Sequence, residues 1–332
     1  VIRIALDAMG GDFAPEAPVE GALLALDDLP ASCEILLVGR TAEIQAVLDR
    51  RGGPRERIRV VEAPEKIEMA EKPLAAVRGK RQSSIVVGLG LQKQGEADAF
   101  ISAGNTGAVM AASALLLGLH TGVDRPAIAT VFPTASKATL VLDSGANIDC
   151  SPRELRGFAH LGAVYARDVM KRPHPSVALL NIGEEAEKGN TAVREAYALL
   201  QAEAHREFDF VGNVEGRDIL GGQIDVVVCD GFVGNVVLKF YESVARLFTG
   251  LLRREMEDAV LKSEAMGRVF TVLDYSTYGG APLLGVKGVS IISHGRSSAR
   301  AIKNAIRVAL QSVESGLSQH IGADLAGDEA VA

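Results

Sequence analysis

The chain has 332 residues, 48% of them apolar but only 5% aromatic and none Trp, so Ala, Val, Leu and Ile must fill its core, a composition suited to parallel strands covered by helices. With 35 basic and 42 acidic residues the formal charge is −7, which lacks the positive field a nucleic-acid partner requires. The three cysteines, Cys33, Cys150 and Cys229, stand at unrelated spacings and suggest neither a disulfide framework nor a zinc site, so a reducing cytoplasm is expected.

In chain order, Val1–Leu6 reads as a strand and not as the basic stretch, apolar core and cleavage site of an export signal. It runs into Asp7-Ala8-Met9-Gly10-Gly11-Asp12 and then a helical pattern over Pro18–Leu26. Paired glycines free the backbone to turn N–H groups toward an anion. They are not the three-glycine dinucleotide fingerprint, which argues against a NAD enzyme. Strands at Ile35–Val38 and Ile58–Val61 flank a helix at Ala42–Arg50, and Ala99–Ile101 leads into Ser102-Ala103-Gly104-Asn105-Thr106-Gly107-Ala108 and the helix Gly107–Leu119. Small residues before a helix N-terminus can hold a phosphate or a thioester oxyanion on backbone N–H groups, with Asn105 as an added amide donor. The longest apolar run, 108–119, is interrupted by Ser113 and Gly118 and falls short of the roughly 20 residues that span a bilayer.

Further strands are expected at Ala127–Val131, Thr139–Leu142, Val177–Leu180 and Val226–Val228, with helices over Pro152–Met170 and Asn190–Ala202. Thr139–Leu142 ends in Asp143-Ser144-Gly145-Ala146-Asn147, and Val177–Leu180 in Asn181-Ile182-Gly183-Glu184-Glu185, followed by Lys188-Gly189-Asn190. Lys188 puts a mobile cation at this edge, where it can neutralise phosphate or simply balance Glu184, Glu185 and Glu187. The strand before Asp230 and Gly231 opens through Gly234 and Asn235 into a helix, where Asp230 either orients a donor group or caps the helix. An amphipathic arm follows at about 236–272, with Phe240, Tyr241, Leu247, Phe248 and Leu251 interleaved with Arg246, Arg253 and Arg254. A core or dimer face is the first reading of such a stripe, and an arm against a membrane or partner the second. Near the end come Gly279-Gly280-Ala281-Pro282, the strand Val289–Ile292, Ser293-His294-Gly295-Arg296-Ser297 and a helix over Arg300–Gly316.

Alternating strands and helices imply a three-layer α/β/α sandwich with a largely parallel sheet, whose strand carboxyl ends are where ligands bind. One domain over 1–320 and a frayed tail at 321–332 are expected, and the likeness of the strand-rich parts at the two ends fits a discontinuous arrangement. There is no Gly-x-Ser-x-Gly elbow, no Walker lysine loop and no metal-ligand pair at helical spacing, which disfavours a serine hydrolase and gives no reason to expect a metal or cofactor.

Seven segments in register resemble the bacterial acyl-carrier-protein:phosphate acyltransferases, from Ile4 to about Gly316: Asp7–Asp12, Glu71-Lys72-Pro73, Ser102–Gly107, Asn181–Asn190, Gly212–Asp218, Asp230–Asn235 and Tyr278–Leu284. The resemblance implies a fold related to phosphate acetyltransferases and to the isocitrate and isopropylmalate dehydrogenases. It also implies a homodimer, peripheral membrane association from the cytoplasm, and a place in phospholipid synthesis ahead of an acyl-phosphate:glycerol-3-phosphate acyltransferase. Gln82 stands where the family usually carries an acid, so no acid acts there, and Ser144 replaces a more typical valine or isoleucine.

The expected reaction is attack of inorganic phosphate on a long-chain acyl thioester of acyl carrier protein, giving acyl phosphate and free carrier. Lys188, His294 and Arg296 are expected to hold phosphate, and Asn105 or Asn235 to steady the oxyanion. Asp7, Gly10, Gly11, Asp12, Lys72, Ser102, Gly104, Thr106, Asn190, Asp230 and Gly231 complete the expected binding loops. Arg246, Arg253, Arg254 and Lys262 are expected to dock the acidic carrier protein. Rival readings are use of acyl-coenzyme A, a NAD-dependent hydroxy-acid dehydrogenase, and a non-catalytic membrane scaffold.

Overall fold

The computed structural model describes residues 1–134, 136–203, 207–273 and 279–329. The chain forms two compact units, the first made of Val1–Pro126 with Tyr278–Ala332 and the second of Ala127–Thr277. The first unit is thus built from two stretches of the sequence, and the strands form two sheets.

In the first unit, β1 (Ile2–Asp7), β2 (Cys33–Gly39), β3 (Ile58–Glu62) and β4 (Ala99–Ser102) are parallel neighbours, joined by β12 (Val289–Ile292) and its antiparallel partner β11 (Ala281–Leu284). The order is β3-β2-β1-β4-β12-β11. Both faces of the central strands are buried, which accounts for their continuous apolar runs. Ile4, Leu6, Ile35, Leu37, Ile101 and Ile291 meet Ile302 and Ile306 of helix α11 (Ala299–Glu314) in one core. A Cβ on Gly21 would collide with Ile302 and the Ala299 carbonyl, so glycine there lets α1 (Glu16–Leu26) lie close against α11. Helices α2 (Thr41–Arg51), α3 (Pro73–Gly79), α4 (Ser84–Lys93) and α5 (Thr106–Leu116) complete this half before the crossing. Of the tail expected to fray over 321–332, the described part continues helix α12 (Leu317–Glu329), with Ile321 and Leu325 buried, and 330–332 lie outside the described residues.

The strand expected at Ala127–Val131 is divided into β5 (Ala127–Ile128) and β6 (Thr130–Phe132), because the N–H and the carbonyl of Ile128 are both taken by the turn after β7, at Asp143 and Ser144. The second sheet runs β6-β7-β10-β8-β9, with β7 (Thr139–Leu142), β8 (Ser176–Leu180), β9 (Asp209–Val214) and β10 (Val226–Val228), and all but β6 are parallel. Phe132, Val141, Ala178, Val214, Ile219 and Val227 form its core. Helices α6 (Pro152–Asp168) and α7 (Thr191–Ala202) follow β7 and β8, α6 starting at a Ser151–Glu154 capping box.

The amphipathic arm is not one helix. It comprises α8 (Gly231–Glu255), α9 (Asp258–Leu261) and α10 (Glu264–Leu273), and the chain turns extended at Met256 between the first two. Among the described residues no helix is long and apolar enough to cross a membrane.

Asp225, buried at the start of β10, accepts from Lys137 Nζ at 2.6 Å and from the Ser176 N–H and hydroxyl at 3.0 Å. Burial alone pushes its carboxyl up, but these donors together outweigh burial and leave it below its ordinary value. A carboxylate held low in the folded state stabilises the fold above its unfolded pKa and ceases to do so as the pH falls through the folded one. Asp225→Asn is therefore expected to lower the melting temperature at pH 7, with a deficit that shrinks once the pH drops below about 4. Thermal unfolding of both proteins across pH 3–8 checks this, and a deficit of equal size at every pH would contradict it.

Candidate functional site

At the carboxyl edge of the first sheet, β1, β4 and β12 end side by side. Asp7 closes β1 and is only 1% exposed. Its Oδ1 accepts from the Met9 N–H at 3.0 Å and its Oδ2 from the Ser102 hydroxyl at 2.6 Å, while Ser102 Oγ accepts from the Gly104 N–H at 3.0 Å. Burial pushes the Asp7 carboxyl up, against the hydrogen bonds of Ser102, Ser84, Met9 and Gly10. A side chain at Gly10 would strike Asp7 Oδ2 and the Gly104 N–H, so glycine there lets the Asp7–Asp12 loop lie close against the Ser102–Thr106 loop. Gly11 has φ +98°, and the Asp12 N–H donates to the Gly295 carbonyl at 2.7 Å, which brings the His294–Arg296 turn to the same place.

Asp12, Thr106, His294 and Arg296 are exposed along this edge, and Lys72 is exposed where it opens α3. Asp7 and Asn105, expected to face a ligand, face inward. Asn105 caps α5 through the Ala108 N–H, and its amide donates to the carbonyls of Glu68, Met69 and Glu71 at 3.1–3.2 Å. That amide fastens the 68–71 loop and has no donor left for an oxyanion.

The second sheet has an edge of the same kind. Asp143, fully buried at the end of β7, accepts at Oδ1 from the N–H groups of Ile128, Gly145 and Ala146 and at Oδ2 from the N–H and the amide of Asn147. Burial raises its carboxyl and these donors pull it back. Gly231 and Gly234 lie against this turn. A Cβ on Gly231 would sit 2.6 Å from both the Asn147 carbonyl and Asp143 Oδ2, and one on Gly234 would overlap the Asp143 carbonyl. Asp230 caps α8 by accepting from the Val233 N–H at 2.8 Å, the helix-capping role that was one of its two readings. Asn235 is exposed one turn on, beside Gly145, and among the described residues its amide makes no hydrogen bond.

Next to β10, the loop after β8 carries Lys188, exposed and in no ion pair among the described residues. Glu184 pairs with Arg217 at 3.5 Å instead, so the charge-balancing reading of Lys188 has lost one of its partners. Asn190 caps α7 through the Val193 N–H at 2.9 Å. Lys188, Gly231 and Asn235 thus share the edge of one sheet, and His294 and Arg296 belong to that of the other.

Of the docking residues, Arg246, Arg253, Arg254 and Lys262 are all exposed. Arg253 lies 5.7 Å from the centre of the Phe270 ring, Arg254 pairs with Glu255, and Lys262 with Asp258. Tyr278 of the last family segment lies outside the described residues. Sequence reasoning assigned no role to Ser84, Asp143, Asn147 or Asn213: Ser84 bonds the Asp7 carboxyl and Asn213 the Glu185 carbonyl, both distant in sequence, while Asp143 and Asn147 bond each other inside their own turn.

Two parallel-sheet units whose strand ends are lined by glycine, serine and asparagine define an α/β enzyme of the phosphotransacetylase fold. EutD phosphotransacetylase from Staphylococcus aureus superposes with a TM-score of 0.63 over 94% of each chain at 17% identity, and a phosphotransacetylase from Streptococcus pyogenes with 0.62 at 18%, again over 94% of each. The family described as fatty acid synthesis protein matches residues 2–320. The phosphate acyltransferase of Heliobacterium modesticaldum is 51% identical, covering 96% of this chain and 98% of the relative, and that of Desulforamulus reducens 49%, covering 100% and 99%. The chain belongs to this family of phosphate acyltransferases, and is an acyltransferase of fatty acid synthesis.

The clash at Gly234 gives a direct check on the second edge. Gly234→Ala is expected to destabilise by about 1–3 kcal/mol, since backbone and not a flexible side chain must yield. Gly250→Ala, with open space around it in the same helix, is expected to gain up to about 1 kcal/mol from helix propensity. Denaturant midpoints of the two variants test the contrast.

Proposed function

We propose that this enzyme transfers a long-chain acyl group from acyl carrier protein to inorganic phosphate. A phosphate oxygen attacks the thioester carbonyl carbon, the new C–O bond forms, the C–S bond breaks with its electron pair leaving on sulfur, and the thiolate takes a proton from water. No covalent enzyme intermediate is required, because thiolate is a competent leaving group and both ends of the transfer are activated acyl compounds. What the protein has to supply is juxtaposition of two anionic reactants and donors for the tetrahedral oxyanion.

The observation that carries this reading is the edge of the second sheet, where the loop after β8 carries Lys188 and the helix after its neighbour β10 carries Asn235, neither side chain paired among the described residues. Lys188 neutralises phosphate and Asn235 donates to the oxyanion. His294 and Arg296, at the edge of the first sheet taken by itself, are proposed to bind an anion there. Acyl phosphate is then consumed by an acyl-phosphate:glycerol-3-phosphate acyltransferase in phospholipid synthesis.

The surroundings of this reaction belong to the same proposal: a homodimer in the cytoplasm, peripherally associated with the membrane, docking the acidic carrier through Arg246, Arg253, Arg254 and Lys262. The exposed apolar face of α8, with Phe232, Val236 and Phe240 at successive turns, supports a covered or membrane-facing arm.

The test mixes the purified protein with palmitoyl-carrier protein, with and without phosphate, follows thiol release and traps acyl phosphate with hydroxylamine. Phosphate-dependent release with matching trapped product is expected. Absence of both in folded protein refutes the transfer and favours a scaffold, and equal turnover of palmitoyl-coenzyme A refutes the preference for carrier protein. Lys188→Ala is expected to raise the KM for phosphate by about tenfold or more, the loss of a charge-assisted hydrogen bond, with the KM for the acyl donor unchanged. Reversing Arg253 and Arg254 to Glu is expected to raise the KM for acyl-carrier protein and to leave that for acyl-coenzyme A untouched.

A further inference from the structure

The segment Gly212–Asp218 has no place in the chemistry above, yet it meets the Lys188 loop at several points. Strand β9 carries a bulge opposite Val177–Leu179, and Gly212 sits there with φ +92°. A bulge changes the face to which the following side chain points, and here Asn213 turns inward and is 5% exposed. Its amide donates to the Glu185 carbonyl at 2.9 Å. Its Oδ1 is buried and has no partner among the described residues.

Burying an amide with half of its capacity unused costs stability, and an apolar residue of similar size avoids that cost. The single bond it does make therefore needs another explanation, and the Glu185 carbonyl supplies one. That carbonyl also accepts from the Lys188 N–H at 3.1 Å, so one oxygen joins the Asn213 amide to the residue that carries the ammonium. From the other end of the loop, the Asn181 amide donates to the Lys188 carbonyl at 3.0 Å. Gly189, at φ +92°, lies so close to the Asn181 amide that no side chain fits there. Arg217, beyond Asn213, reaches Glu184 at 3.5 Å and Glu215 at 3.3 Å and ties the same loop to the turn after β9.

We infer that Asn213 is a positioning residue for Lys188: through the Glu185 carbonyl it fixes the backbone from which the ammonium reaches phosphate. The inference rests on the reading that Lys188 binds phosphate. A long, flexible lysine gains selectivity for an anion only if its backbone anchor is fixed, since otherwise the ordering of loop and side chain is charged against binding. Asn213 makes that ordering part of folding.

The experiment measures phosphate-dependent thiol release from acyl-carrier protein for the wild type, Asn213→Ala, Lys188→Ala and the double variant. Asn213→Ala is expected to raise the KM for phosphate about fivefold, the equivalent of one net hydrogen bond, with the KM for acyl-carrier protein unchanged. In the Lys188→Ala background the same substitution is expected to add nothing, because the group it positions is gone. If Lys188→Ala raises the phosphate KM and Asn213→Ala does not, the inference is wrong and the reading of Lys188 stands. A full additional rise in the double variant also overturns it, since Asn213 then acts independently of Lys188. If Lys188→Ala itself leaves the phosphate KM unchanged, that reading fails and takes the inference with it. Should Asn213→Ala not fold, Asn213→Ser replaces it, with amide exchange over residues 185–189 as a second readout: faster exchange is expected, and exchange at the wild-type rate overturns the inference.

Discussion

A carboxylate cut off from water stays inside a protein only if the protein surrounds it with donors, and each sheet ends in one. Asp7 collects the Met9 N–H and the Ser102 hydroxyl, and Asp143 collects N–H groups from Ile128, Gly145, Ala146 and Asn147. Each thereby dictates the path of the chain for several residues beyond its strand. Neighbouring loops must then approach to within van der Waals contact of the carboxylate or its carbonyl, which explains glycine at 10, 104, 231 and 234. The motifs that look like anion loops are thus built around an internal carboxyl group first.

That ordering separates the polar residues of the two edges into distinct kinds. Asp7, Ser102, Asn105, Asp143, Asn147, Asn181 and Asp230 have their side chains engaged by backbone or by one another. Lys188, Asn235 and Arg296 extend from the surfaces so formed and are exposed. Under the proposed reaction, engaged groups shape the loops and exposed ones are left to meet the reactants, the division expected where a reaction is accelerated by placement and electrostatics more than by proton transfer.

Much of this was legible in the sequence, because strands buried on both faces appear as short β-branched runs and the turns after them as clusters of small polar residues. Strands β1, β2, β3, β4, β7, β8, β10 and β12 and the helices α1, α2, α5, α6, α7 and α11 follow those patterns to within a few residues. Strand β9 did not, since Gly212 and the bulge break its alternation, nor did β11, which carries Pro282. Helix α4 holds two glycines, one of them fitting the Phe100 ring, and so lacks a clear helical pattern. Loop composition located both edges but could not say which side chains turn inward. The acceptors of the Asn105 amide lie more than thirty residues away in sequence, and that of Asn213 nearly as far, so only the folded chain separates a staple from a ligand group.

Helix α8 joins two otherwise separate features of the second unit. Its first turn, at Gly231–Gly234, is wedged against the Asp143 loop, so its axis is fixed by a contact with no slack. From there its 25 residues run for about 37 Å. Phe232, Val236 and Phe240 are exposed at intervals of four, on a single face, and Leu247 and Phe248 are exposed two turns further along. Water does not favour so large a contiguous apolar surface. Whatever covers that face bears on the same rigid body that sets Asp230, Gly231 and Asn235 at the sheet edge. The extended residue at Met256 breaks the helix, but α10 folds back on α8, the Tyr241 hydroxyl donating to the Val272 carbonyl at 3.4 Å and Arg253 lying over the Phe270 ring. The break therefore sets how each part of the arm bears on the candidate site: α8, with its apolar face, as one continuous helix, and α10 only through its side-chain contacts with α8.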